Sequence, residues 1–87
     1  MDHNQLDAVG RHVERIWREV LDVPAGQEGA SFFQLQGQSI SAVRIVAQIE
    51  DDLGIVVDIG ELFEDPDLET FVRNVVAKAA GATPKAA

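Results

Sequence analysis

Phe32-Phe33-Gln34-Leu35-Gln36-Gly37-Gln38-Ser39-Ile40-Ser41-Ala42 is the stretch on which the fold turns. Two adjacent aromatic residues and a Gln-Gly-Gln turn lead straight into helical apolar spacing. Ser39 stands where an N-cap residue would stand. Behind it Ile40, Val43, Val46, Ala47, Ile49 and Leu53 supply an apolar face. A helix is therefore predicted over Ser39–Leu53, with Gly54 stopping it. Ahead of it, residues 23–38 form a connection of about 16 residues without periodicity, and connections that long are usually functional. Phe32, Phe33 and Leu35 are expected to pin this loop onto the helices.

Upstream, residues 4–21 carry a second helical stripe. Leu6, Val9, Val13, Ile16, Trp17, Val20 and Leu21 recur at steps of three and four. Glu14 and Arg18 stand four apart, in the favourable order for a helical ion pair. Pro24 ends this helix, because the residue before a proline is pushed out of the helical region. Downstream, Ile55-Val56-Val57 is β-branched, but a lone strand has no partner elsewhere in the chain and is not stable. It is read as an extended link into a short helical turn at residues 59–63, with Leu62 and Phe63 facing inward. Asp67 is the predicted N-cap of a last helix whose stripe is Leu68, Phe71, Val72, Val75, Val76 and Ala79. The fold class is all-α: three main helices, one short helix and a long loop between the first two.

The composition fits one domain. The chain has 87 residues, 46% hydrophobic and 25% charged. A chain this short buries about 60–65% of its unfolded surface, so the core is modest. Residues 1–80 are taken as the domain and residues 81–87 as a flexible tail. No apolar run approaches the roughly 20 residues needed to span a bilayer, and the polar first residues lack a secretory signal pattern. Cysteine is absent, which excludes disulfides, thiolate metal sites and cysteine nucleophiles. A net charge of −8 argues against nucleic acid, whose phosphates require clustered Lys and Arg. The acids gather between residues 45 and 72, where no Lys or Arg occurs. That run reads equally as a solvated face or as a surface for a basic partner.

No constellation supports autonomous catalysis. His3 and His12 lack a second ligand at metal spacing and are read as solvated surface residues. There is no Gly-x-Ser-x-Gly elbow and no phosphate loop. Ser39 remains. A helix N-terminus offers free N–H groups and a positive dipole end, so a phosphate ester on that hydroxyl would be well placed. A serine before a helix is also an ordinary cap, and residues 32–42 weigh against that plain reading.

That stretch resembles the core motif of thiolation domains, the peptidyl carrier proteins of nonribosomal peptide synthesis. Their usual pattern is Asp-x-Phe-Phe-x-Leu-Gly-Gly-His/Asp-Ser-Leu-x-Ala. Ile16-Trp17-Arg18-Glu19-Val20-Leu21 looks like the family's first helix. Leu62-Phe63-Glu64-Asp65-Pro66-Asp67-Leu68 looks like its Leu-Phe-x-x-Pro-Thr-Leu segment. The resemblance runs over about residues 16–77. Four positions depart from it: Gln36 replaces the first glycine of the pair, Gln38 replaces His or Asp, Ser31 replaces an acid, and Asp67 replaces Thr. Phe32-Phe33, Trp17 and a second helix acidic only at its end are closer to the peptidyl than to the fatty-acid type.

The resemblance implies a four-helix acyl-carrier-like bundle that is not itself an enzyme. It implies that a phosphopantetheinyl transferase moves 4′-phosphopantetheine from coenzyme A onto Ser39, flanked by Gly37 and Gln38. It implies partners in turn: an adenylation enzyme, a condensation domain or other tailoring enzyme, and a thioesterase, visited by a cytoplasmic monomer in peptide or hybrid peptide-polyketide synthesis. Ile40, Val43 and Arg44 lie within about one turn of Ser39 and form the candidate partner interface. Of these, Ile40 is weighed toward partner contact and Val43 toward the core; Phe63 is expected in the core. Met1 and the short Ala-rich tail suggest a free-standing carrier, with a domain excised from a megasynthase as the alternative. The alternatives are an acyl, aryl or D-alanyl carrier with another cargo, and an unmodified helical adaptor.

Overall fold

The computed structural model describes residues 3–81, with side chains from residue 5 onward. Four helices follow in order: α1 (His3–Leu21), α2 (Ser39–Leu53), α3 (Gly60–Phe63) and α4 (Leu68–Ala79). Among the described residues there is no strand, only an isolated antiparallel bridge between Ser31 and Asp67. This is the all-α, acyl-carrier-like bundle that the periodicity and the motif predict. Residues 55–57 form the expected extended link. The side chain of His3 and residues 82–87 of the expected tail lie outside the described residues.

α1 is the centre of the bundle and packs against both α2 and α4. Val9, Val13, Ile16, Trp17 and Leu21 are buried along one stripe, as the steps of three and four require. Leu68, Phe71 and Val75 face them from α4. Trp17 is fully buried, with its ring centroid 5.6 Å from Phe71 and 6.1 Å from Phe32. Contacts of this kind add to the area each ring buries. Among the described residues, no helix is long and apolar enough to cross a membrane.

α2 departs from the expected register. Its buried residues are Ala42, Ile45 and Ile49. Val43, weighed toward the core, is 50% exposed, and Ala47 of the predicted apolar face is exposed too; Ile40, weighed toward partner contact, is 64% exposed. The apolar residues of α2 cover more than half of the helix surface, an arc wide enough for two phases to satisfy the spacing. The phase adopted puts Ala42 against the core, where the small side chain admits close approach. The start also differs by one residue. Gln38 is the N-cap, with extended backbone and no side-chain cap bond, and Ser39 is the first helical residue. The far end is as predicted: Gly54 takes a left-handed φ of 69° and its N–H donates to the Glu50 carbonyl.

Side-chain bridges brace the outside. His12 is not simply solvated: its Nε2 lies 2.7 Å from Asp52 Oδ2, joining the middle of α1 to the last turn of α2. Arg15 Nη2 donates to His12 Nδ1 at 2.9 Å, which assigns the ring hydrogen to Nε2. The His12 bond, followed by one from Gln48, holds the Asp52 carboxyl below its ordinary value. Lys78 Nζ meets Glu61 Oε2 at 2.9 Å and ties α4 to α3.

The short helix spans Gly60–Phe63, one residue later than expected. Leu62 is fully buried as predicted, but Phe63 is 43% exposed and not part of the core. With so few residues, α3 can turn only one large side chain inward. Asp67 caps α4 as predicted, accepting from the Thr70 N–H at 2.9 Å. That bond, reinforced by the Thr70 hydroxyl, lowers the Asp67 pKa.

Candidate functional site

Ser39 stands exposed at the start of α2. The Gln38 carbonyl accepts the Ala42 N–H at 2.9 Å, so the helix is closed from its first turn. No side chain caps this terminus and no acid lies in its first turn. The first N–H groups of a helix lack intrahelical acceptors, and the dipole makes that end positive. A hydroxyl here can carry a phosphate diester without repulsion from its own turn. The donor set therefore fits phosphopantetheine.

The loop before Ser39 is a tight, internally bonded turn. Leu35 N–H donates to the Ser31 carbonyl at 3.0 Å, Gln36 N–H to Phe33 at 2.9 Å, and Gly37 N–H to Phe32 at 2.9 Å. Ser31 N–H donates to Gln34 Oε1 at 2.8 Å, closing the entrance. Phe32 and Leu35 are buried and anchor the turn, as expected. Phe33 does not: it is 47% exposed and lies beside Phe32, ring centroids 5.5 Å apart. Adjacent residues in such a turn cannot both reach the core.

The Gln36 and Gly37 positions show why glycines suit the motif. Gln36 takes a φ of 65°, a left-handed conformation that carries a steric cost for any residue with a Cβ. Gly37 faces the Phe32 ring, whose nearest carbons lie 2.5 Å from where a Cβ would be. The first position favours glycine for its backbone and the second for its space. The chain keeps the second requirement and tolerates strain at the first.

Ile40, Val43 and Arg44 are all exposed on the outward face of α2. Val43, weighed toward the core from sequence, is half exposed because Ala42 and Ile45 take the inward phase. The face beside Ser39 is thus apolar with one cation. Between residues 39 and 49 α2 has no acid; Glu50, Asp51 and Asp52 come only in its last turn. Phe33 and Phe63 are exposed as well, and sequence reasoning missed both. The signal was the pairing of each with a better-placed apolar neighbour, Phe32 and Leu62. Among the described residues no group of three His, Cys, Asp or Glu could hold a metal.

The chain matches the family described as phosphopantetheine attachment site over residues 11–75. It is 34% identical over 79 residues to phosphinothricin tripeptide synthetase PhsC of Streptomyces viridochromogenes, covering 91% of this chain and 7% of that protein. It is 30% identical over 73 residues to pyochelin synthetase PchE of Pseudomonas aeruginosa, covering 84% of this chain and 5% of that protein. It is 35% identical over 60 residues to N-(5-amino-5-carboxypentanoyl)-L-cysteinyl-D-valine synthase of Amycolatopsis lactamdurans, covering 67% of this chain and 2% of that protein. The chain therefore spans a small fraction of the curated relatives it matches. No solved structure matches it. The exposed serine on an uncapped helix, the loop that presents it and the match across most of the chain agree: the chain belongs to the phosphopantetheine attachment-site family, whose members carry 4′-phosphopantetheine covalently and act as carriers rather than catalysts.

Proposed function

We propose that Ser39 is the attachment point and that the chain is a peptidyl carrier in nonribosomal peptide synthesis. The observation that carries this is the exposed Ser39 hydroxyl at an uncapped, acid-free helix N-terminus, within a loop whose bonds fix it there. When bound, 4′-phosphopantetheine supplies the terminal thiol that holds an aminoacyl or peptidyl group as a thioester, a group this cysteine-free chain cannot supply itself.

The chain's own residues do the rest. Ser39 offers its hydroxyl oxygen to the transferase. The first turn of α2 keeps the phosphate charge at its positive end. Gly37 and Gln38 set the angle at which the serine leaves the domain. Ile40, Val43 and Arg44 form the face that partners read. A small apolar patch with one charge suits transient contact, because affinity rests on a few anchors. The partners in this reading are a phosphopantetheinyl transferase, an adenylation enzyme, a condensation or tailoring enzyme and a thioesterase, met in the cytoplasm. The relatives' names, all synthetases or synthases, support a biosynthetic role of this kind.

The test is intact-protein mass spectrometry after incubation with coenzyme A, magnesium and a broad-specificity transferase, beside a Ser39→Ala control. The expected result is a gain of one phosphopantetheine group in the native chain alone. Gain in both proteins would move the site elsewhere. No gain by the folded chain would favour an unmodified adaptor. Loading of the modified chain by an acyl or aryl donor in place of an amino acid would change the cargo.

A further inference from the structure

Besides the packing of Phe32 and Leu35, the loop before Ser39 is tied by hydrogen bonds to one short segment far away in sequence, residues 65–67. Phe33 N–H donates to Asp65 Oδ1 at 2.8 Å, across 32 residues. Beside it, Phe32 N–H donates to the Pro66 carbonyl at 2.8 Å, and Ser31 bridges Asp67. Only the Phe33 bond depends on a side chain. Asp65 reaches it from a left-handed backbone, φ 62°, which an aspartate visits at a cost. Asp65 is exposed, and its carboxylate makes no ion pair among the described residues. It neither caps α4, which Asp67 does, nor fills the core.

From Phe33 the bonds lead to the serine. The Phe33 carbonyl takes the Gln36 N–H, Phe32 takes the Gly37 N–H, and Gln38 opens α2. Phe33, which Asp65 holds at its N–H, therefore accepts the bond of Gln36, the residue with the left-handed φ of 65°.

We propose that Asp65 is a positioning residue for the modification of Ser39: its carboxylate holds the Phe33 N–H and so keeps residues 33–38 in the shape a transferase binds. This rests on Ser39 being the attachment point. Asp65 acts through the loop and not by touching the reacting atoms.

The full chain and its Asp65→Ala, Asp65→Asn and Asp65→Gly variants are compared as substrates of one transferase, with product followed by intact mass. Asn keeps an oxygen acceptor and tolerates the left-handed backbone while losing the charge. Ala loses the acceptor and keeps the strain. Gly loses the acceptor and relieves the strain, so it preserves folding if Ala does not. Only molecules holding the binding shape count toward affinity, so Ala and Gly should raise KM for the carrier by about fivefold or more at unchanged kcat. Asn should stay within about twofold of the native chain on the same reasoning. Hydrogen exchange at the Phe33 amide should be fast in Ala and Gly and slow in Asn and the native chain. Native KM in the Gly variant overturns the proposal. So does an Asn variant as poor as Ala, which would mean a direct charge contact with the transferase. A native chain that is not modified at Ser39 refutes the attachment reading itself, and the Asp65 role falls with it.

Discussion

The Phe32 ring occupies the space that a Cβ on Gly37 would need, with three ring carbons 2.5 to 2.7 Å from that position. The ring is fully buried beside Trp17 and cannot swing aside. Gly37→Ala should therefore destabilise the fold by about 1–3 kcal/mol, the usual range for overpacking. Denaturant unfolding measures it. On a Phe32→Leu background the same substitution should cost much less, because the two changes share one contact.

Gln36 gives the opposite sign. Its φ of 65° is unfavourable for a residue with a Cβ and free of that cost for glycine. Gln36→Gly should raise stability by about 0.5–1 kcal/mol, the left-handed penalty less the greater chain entropy of glycine. An unfolding midpoint equal to or below that of the native chain would contradict the strain reading.

The two faces of α2 should separate stability from recognition. Ile45 is fully buried, and Ile45→Ala should cost about 2–5 kcal/mol. Ile40→Ala and Val43→Ala should stay within about 0.5 kcal/mol of the native chain, as exposed substitutions do. Ile40→Ala should nevertheless raise the KM for the carrier in the transferase assay. Parallel unfolding and modification curves would show the split.

Stability should fall in acid below the ordinary carboxylate range. Asp52 is held low first by His12, and Asp67 first by the Thr70 N–H. A group whose pKa is lower when folded contributes fully above its unfolded value of about 3.9, and the contribution is lost as pH falls through the folded value. Unfolding midpoints should hold level down to about pH 4 and then drop. Asp67→Asn should flatten part of that drop while keeping neutral-pH stability, because asparagine also caps well. Asp52→Asn should flatten another part.

The helices were legible because Trp17, Phe71 and their neighbours recur at helical spacing and because Gly54 and Asp67 mark two helix ends plainly. The phase of α2 was not. Ile40, Ala42, Val43, Ile45, Val46, Ala47 and Ile49 spread over more than half of the helix surface, so the narrow polar stripe of Ser41, Arg44 and Gln48 does not fix which part of that arc turns inward. The exposed apolar residues Ile40 and Val43 hide the signal that burial would otherwise provide. Phe33 and Phe63 were placed inside for a related reason: hydrophobicity was the only cue, and in both segments a neighbour had already taken the inward position. The capping residue was off by one: serine is the better cap by type, yet the helix starts from Gln38, which makes no side-chain cap bond and leaves Ser39 as the first helical residue. The Asp65 bond was invisible, because nothing in residues 31–39 indicates which remote backbone holds them.

The tie between Phe33 and Asp65 bears on any attempt to rebuild this domain. Residues 31–39 are not a portable cassette. A chimera that imports the serine loop from another carrier but keeps the native residues 65–67 joins two halves that were never fitted to each other. The exchangeable unit is discontinuous, a loop together with the corner it leans on.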